Sequence, residues 1–591
     1  MSNASIPRPE FPRPQWVREE WVNLNGTWQF ERDPGRSGEQ RGLPTADRLS
    51  GEIVVPFPPE SALSGVACKD FMPSVWYRRT VTIPERWRHR RIRLHFGAID
   101  YKARVWINGR EAGSHRGGYT PFALEITDFL KAGKNGIVVC AEDDTRSPLQ
   151  PSGKQSSQYH SHGCSYTRVT GIWQTVWLEA VPETYLAEAK LTPDLEGARL
   201  FIEAKVDGPA KGMTLIATAF ADGVEVGRTH AVCVGNRATA VIELSGVRAW
   251  SPEDPFLYDL DLRLEQAGHP VDRVRSYFGL RSIALDPPAI LLNGKPAFQR
   301  LVLDQGYYPD GIYTAPSDEA LKRDIEISLG LGFNGARLHQ KVFEPRFLYW
   351  ADRLGYLVWG EFGSWGLDVR RPEALGRFTT EWMEVLGRDY NHPSLVGWCP
   401  FNETGPGRGQ NPETLRTVYR LTKMFDATRP VIDTSGYTHV ATDVYDAHDY
   451  DQNPETFAQR HRPFAEGKPP FRNYPDTDAP YRGQPYFISE YGGIWWKPGQ
   501  NEEDSAWGYG GKEGRPKSEE EFLSRYRGLT EVLLRHPRMC GFCYTQLYDV
   551  EQEVNGLYTY DRQAKFDPEK IRAVNSQRAA IEENKEAESG L

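Results

Sequence analysis

The chain has 591 residues, too many for one domain and in keeping with three or four. Its 39% apolar and 26% charged content is ordinary for a soluble globular protein, and the net charge of -9 is spread along the chain without a basic block. That distribution excludes a nucleic-acid partner, and no apolar run approaches the ~20 residues that would cross a bilayer.

Met1 to Pro14 is polar and proline-rich with no apolar h-region, so no secretory signal is read there. Seven cysteines form an odd, sparse set without a disulfide-like spacing, which points to a reducing, cytoplasmic setting. Aromatic residues reach 12%, with 17 Trp, a content that suits both sugar stacking and the cores of β-sandwiches.

Residues 1–182 read as all-β. Trp76 to Ile83 and Arg91 to Phe96 alternate apolar and polar residues, the period of half-buried strands. Ala103 to Ile107 runs into Asn108-Gly109, a hairpin signal. Thr170 to Glu179 alternates again, and no helix longer than about two turns interrupts the pattern, so a jelly-roll sandwich is expected. Residues 183–282 form a second β-unit with short strands such as Arg199 to Ala204 and Thr214 to Phe220. That spacing suggests an immunoglobulin-like sandwich.

From Ile283 to the end, residues 283–591, apolar strands alternate with amphipathic helices, the pattern of βα units and a parallel sheet. Candidate strands are Phe298 to Val302, Phe333 to Leu338, Tyr356 to Glu361, Leu395 to Asn402, Pro430 to Asp433, Val444 to Ala447, Tyr486 to Glu490 and Gly541 to Gln546. Helical stretches include Ser317 to Leu331, Pro372 to Asp389, Pro412 to Ala427 and Ser518 to Arg535. Such an alternation predicts a catalytic (β/α)8 TIM barrel, with a final helix that frays from about Asn584.

Barrel enzymes place their chemistry at the C-terminal ends of the strands. The polar residues there are Asp304, Arg337, His339, Glu361, Asn402, Glu403, Asp433, His448, Glu490 and Gln546. Glu403 and Glu490 lie roughly three βα units apart, so they face each other across the mouth. Facing carboxylates are what glycoside cleavage requires, one as proton donor and one as nucleophile or charge stabiliser. On position alone, either glutamate is as readily half of an ion pair at the barrel rim.

Residues 391–403, Asn-His-Pro-Ser followed by an apolar strand, a Trp and Asn-Glu, resemble the acid/base signature of glycoside hydrolase family 2. The resemblance continues in order: Trp21 to Phe30, Arg168 to Trp173, Trp250 to Tyr258, Tyr277 to Arg281 and Leu292 to Pro296. It implies a retaining exo-glycosidase with Glu403 as acid/base and Glu490 as nucleophile. It also implies that Asn402 meets the sugar 2-hydroxyl and that Arg337 holds Glu490 ionised and oriented. His339, Glu361, Asp304, His448, Tyr450, Trp507 and Gln546 complete the expected substrate contacts, with Tyr544 beside Gln546. The loop holding Tyr159-His160-Ser161-His162 is expected to reach the active site.

Three stretches depart from the family pattern. Leu338-His339-Gln340-Lys341 replaces a Ser-His-Tyr-Pro-like run, and Leu303-Asp304-Gln305-Gly306 stands where many members carry Arg-His-Glu. Asn555-Gly556-Leu557 lacks the lysine that β-glucuronidases carry two residues after the asparagine, with Lys565 the nearest substitute. The expected substrates are therefore β-galactosides, ahead of another β-glycoside or an α-L-arabinoside and with β-glucuronides lower. A non-catalytic carbohydrate-binding protein is the reading from a different class.

Asp443 to Asp451 is rich in metal-ligand types but has no second cluster at ligand spacing, so no metal and no cofactor are expected. Cys540 and Cys543 point to opposite faces of a strand and read as core. Trp495, Trp496 and Trp507 follow Glu490 in a Gly-rich loop and suit either a sugar platform or loop packing. The expected partner is a glycoside substrate, and a homo-oligomer is compatible with the sequence.

Overall fold

The change in hydrophobic period near residue 283 marks a change of architecture. The computed structural model describes residues 6–407, 409–499 and 506–583; the expected fraying from Asn584 lies outside them. Before that point every extended ladder is antiparallel; after it a parallel sheet dominates.

In the first unit a six-stranded sheet faces a four-stranded one. Ser74–Thr82 pairs with Lys134–Glu142, and alternate residues such as Val75, Tyr77, Ile137 and Val139 fill the space between the sheets. Lys102–Ile107 and Arg110–Arg116 are joined at Asn108 (φ 51°) and Gly109 (φ 81°), both in the left-handed region that a tight hairpin turn needs. The second unit stacks a three-stranded on a four-stranded sheet around Leu200, Ile202, Leu215, Leu260 and Leu262.

The parallel sheet holds β1 (Gln299–Asp304), β2 (Gly335–Leu338), β3 (Leu357–Glu361), β4 (Leu395–Cys399), β5 (Tyr445–Asp449), β6 (Tyr486–Gly492) and β7 (Met539–Thr545). Its order is β4-β3-β2-β1-β7-β6-β5. The gap between β4 and β5 is spanned by residues 430–435, which include the expected strand Pro430 to Asp433 but pair with the β4 side only at two isolated bridges, Trp398–Val431 and Asn402–Ser435. Pro430 has no N–H to offer a ladder. The Asp433 carboxylate instead accepts from the N–H groups of Val440 and Ala441 and curls the chain away.

Helices form over the expected stretches, three of them with side-chain caps. Ser317, Asn411 and Ser518 accept backbone N–H groups at the starts of Asp318–Gly330, Pro412–Phe425 and Glu519–Leu534. Pro345–Leu354 and Pro454–Ala465 add two helices the sequence reading did not single out.

The stretch before β4 is a clamp between units. Asn391 accepts from Leu191 N–H (2.8 Å) and donates to Ala189 O (2.9 Å), tying the second sandwich to the barrel. Arg281 donates to the carbonyls of Pro393 and Leu395. His392 and the Ser394 N–H both bond to the buried Asp352 at the end of Pro345–Leu354. These contacts fix where β4 begins, and hence where Asn402 and Glu403 emerge.

Candidate active site

β4 ends at Cys399, and the chain then runs in irregular backbone to Asn402 and Glu403. Glu403 sits at φ 52°, in the left-handed region that costs a non-glycine residue about 1–3 kcal/mol. Its N–H donates to Ser435 O at 2.9 Å, which holds it there. Glu490 lies within β6, two residues before its end. Carboxylate oxygens of the two glutamates and a ring nitrogen of His448 lie within 4.8 Å of one another.

Arg337, wholly buried, organises the floor. It donates to Glu490 Oε1 (3.2 Å), Ser489 O (2.7 Å), Glu361 Oε2 (2.8 Å) and Asn402 Oδ1 (3.1 Å). Burial favours protonation of Glu361, but the charges of Arg337 and His339 outweigh it and hold its carboxyl down at about 2. His339 lies 3.0 Å from Glu361, and burial lowers its own pKa. Because Arg337 takes Asn402 Oδ1, the amide orientation is set, and the buried Nδ2 has no partner among the described residues. It is a fixed donor awaiting an acceptor.

Tyr450, from the end of β5, donates its hydroxyl to Glu490 Oε2 at 2.5 Å. Its ring lies flat on Tyr509, with centroids 3.4 Å apart. His448 Nδ1 is 3.0 Å from Glu403 and 3.4 Å from Glu490. Its Nε2 meets Ser435 Oγ at 3.0 Å. Burial lowers the His448 pKa, yet the charge of Glu490 and the hydrogen bond to Glu403 leave it raised overall. Gly436 lets this ring in, because a Cβ there would stand 2.6 Å from it.

These groups open on a cavity of about 460 Å³, within the range of small-molecule sites. Of the residues singled out from sequence, Glu403, Glu490, Asn402, His339, His448, Tyr450 and Trp507 line it. Four expected substrate contacts do not. Arg337 and Glu361 lie beneath the floor as a buried ion pair. Asp304 is turned into the barrel, accepting from Gly306 N–H and the Tyr548 hydroxyl. Gln546 is the middle of a sealed amide chain, Gln305 to Gln546 to Asn555. Tyr544 is likewise buried away from the cavity.

The walls bring in residues the sequence did not single out: Lys154, Cys164, Trp365, Tyr437, Asn473, Tyr474 and Tyr509. The first-unit loop does reach the site, through Lys154 and Cys164 rather than through Tyr159 to His162, of which Tyr159 and His160 are exposed. Trp496 packs on Phe566, leaving Trp507 as the member of that Trp set at the cavity. Lys565 is consumed by Asp549, Trp496 O and Val554 O.

Two glutamates this close at the strand ends of a parallel barrel, behind two β-sandwiches, define the class of barrel glycoside hydrolases. Comparison with known proteins places the chain within it. Residues 53–182 match the sugar-binding domain of glycosyl hydrolases family 2, residues 184–281 that family's second model, and residues 314–505 its TIM barrel domain. The chain belongs to glycosyl hydrolase family 2.

It is 27% identical over 350 residues to a putative β-glucuronidase of Formosa agariphila, covering 56% of this chain and 39% of that protein. It is 24% identical to a β-glucuronidase of Paenibacillus borealis, covering 69% of this chain and 72% of the relative. A β-galactosidase of Thermoanaerobacter pseudethanolicus is 25% identical, with 56% of this chain and 44% of the relative covered. The fold is shared with the β-glucuronidase from Ruminococcus gnavus in complex with D-glucuronic acid: TM-score 0.77, 19% identity, 96% of this chain and 99% of that one. Among the described residues, no helix is long and apolar enough to cross a membrane.

Proposed function

We propose that this protein is a retaining exo-glycosidase in which Glu490 is the nucleophile and Glu403 the acid/base. The observation that carries the reading is the separation of the two carboxylates, within 4.8 Å at their nearest oxygens. Retaining pairs stand ~5–5.5 Å apart, whereas inverting pairs need ~6.5–9.5 Å to admit water. Glu490 attacks the anomeric carbon as Glu403 gives its proton to the departing oxygen, forming a glycosyl ester. Glu403, now anionic, takes a proton from water, whose oxygen displaces Glu490 and releases the sugar. Negative charge thus moves from Glu490 to Glu403 and back. His448, at 3.0 and 3.4 Å from the two, faces the charge in either place. The unpartnered Asn402 Nδ2 is placed for the 2-hydroxyl, where hydrogen bonds strengthen in the transition state.

For the sugar, the relatives named above favour β-glucuronides over the β-galactosides expected from sequence. A neutral β-galactoside is the second reading, favoured by Leu557 at the position of the barrel lysine and by the engagement of Lys565. A 2-fluoro glycosyl fluoride, followed by peptide mass spectrometry, tests the chemistry. The expected label is on the Glu490 peptide, and a label on another carboxylate sinks the assignment.

A further inference from the structure

Lys154 is 6% exposed and lines the same cavity as Glu403 and Glu490. Its ammonium makes no hydrogen bond or ion pair with any described residue; it stands 4.1 Å over the ring of Trp365. A buried ammonium without an anion is costly, and proteins pair such groups. Other buried cations here have anions or carbonyl oxygens on them: Arg337 pairs with Glu361, Lys565 with Asp549 and Arg562 with Asp324, while Lys341 donates to the carbonyls of Gly306 and Tyr313 and Arg281 to those of Pro393 and Leu395.

The loop that carries Lys154 is bolted down. Ser152 N–H donates to Trp365 O at 2.8 Å, and Gly153 N–H reaches the carbonyls of Gly363 and Trp365. Tyr166 N–H donates to Lys154 O at 2.7 Å. Gly153, at φ 55°, presses so closely on the barrel that a Cβ would stand 2.2 Å from Gln340 O. Lys154 is therefore a preorganised cation on the cavity wall, held there by a different domain from the catalytic pair.

We propose that Lys154 receives the C6 carboxylate of a terminal uronic acid, doing from the first domain what the family's barrel lysine does elsewhere. The proposal rests on the glycosidase reading above and names its substrate class. Lys154 is an ammonium at neutral pH: burial opposes the charge, but Cys164, Glu553, Glu490 and Glu403 around it raise its pKa overall. The negative groups lie beyond ion-pair distance, leaving room between them and the ammonium for the sugar.

The test compares kcat/KM for 4-nitrophenyl β-D-glucuronide with that for its neutral methyl ester, in the wild type, Lys154→Met and Lys154→Arg. Methionine keeps the stem and removes the charge. The expected result is a fall of about 100-fold in the acid-to-ester ratio for Lys154→Met, with partial recovery in Lys154→Arg. D-glucuronate should also raise the melting temperature of the wild type more than D-glucose does at equal concentration. Equal losses on acid and ester overturn the proposal, as does a wild type that prefers the ester. Failure of the glycosidase reading shows up separately, as an unlabelled Glu490 with every 2-fluoro sugar tried.

Discussion

Replacing Arg337 with methionine separates two jobs that the structure assigns to one side chain. The guanidinium bridges Glu361, Glu490 and Asn402 at 2.8, 3.2 and 3.1 Å, all of them buried. Without it Glu361 keeps His339 at 3.0 Å and the Gln340 N–H at 3.3 Å but loses its charged partner. Removing one partner of a buried ion pair costs about 3–5 kcal/mol. The pH dependence follows from Glu361, whose folded pKa of about 2 lies below the ordinary ~4.3. Its contribution is fully present above the unfolded value, so it is intact at neutral pH, and it is lost as pH falls toward 2. Urea unfolding at pH 7 should therefore show the whole cost.

The catalytic job fails separately. Asn402 loses the donor that orients its amide, and Glu490 loses an N–H partner, so kcat/KM on an aryl glycoside should fall about 10³-fold, the upper end for losing a preorganised donor. Adding Glu361→Gln removes the stranded charge and should restore part of the stability but little of the activity. If the double variant regains activity along with stability, Arg337 serves only as a counter-ion to Glu361, and the reasoning fails.

Tyr450→Phe removes the hydroxyl on Glu490 but keeps the stack on Tyr509, so kcat should drop about 10²-fold while stability moves by about 1 kcal/mol, read by steady-state kinetics and urea unfolding. Glu403→Gln should lose most of its rate on poor leaving groups and much less on activated aryl glycosides, with azide restoring part of the latter; a uniform, unrescued loss across leaving groups would argue against a proton-transfer role. His439, wholly buried between Asp433 (2.8 Å) and Asp446 (3.1 Å), has a pKa raised well above the usual range because these two carboxylates outweigh its burial. Its protonation stabilises the fold fully below the unfolded value of ~6.5, and that contribution fades as pH rises through the folded pKa. His439→Asn should cost about 3–5 kcal/mol near pH 6, and the gap to the wild type should narrow in alkaline solution.

The architecture was legible because its signals are local. Apolar runs gave the strands, amphipathic stretches beginning at Ser317, Pro412 and Ser518 gave three helices, and Asn108-Gly109 gave the hairpin. Strand ends also gave the height of the site, which is why Asn402, Glu403, His448, Tyr450 and Glu490 meet around one cavity. Height is not direction, however. Asp304 and Gln546 lie near strand ends as Glu490 does, yet Tyr548 and Gly306 claim the first, and Gln305 and Asn555 claim the second. Apart from Gly306, two residues on from Asp304, those competitors come from other segments, and no pattern within a strand announces them.

The same distinction explains why the sugar was harder to read than the reaction. The two carboxylates proposed to react, Glu403 and Glu490, sit at the C-terminal side of the sheet, Glu490 held by Arg337, whereas the walls come from segments far apart in the chain: Lys154 and Cys164, Trp365, Asn473 and Tyr474, Trp507 and Tyr509. A search of the barrel for a carboxylate-binding lysine finds Leu557 two residues after Asn555 and Lys565 already bonded to Asp549, and so points to a neutral sugar. The folded chain presents an ammonium to the cavity anyway, from a loop some 400 residues earlier whose backbone is fastened to the carbonyl of Trp365. What a glycosidase pocket requires is a charge at one point in space, and any domain that reaches that point can supply it. If Lys154 receives a uronate as proposed, substrate selection is a property of how the first sandwich docks on the barrel.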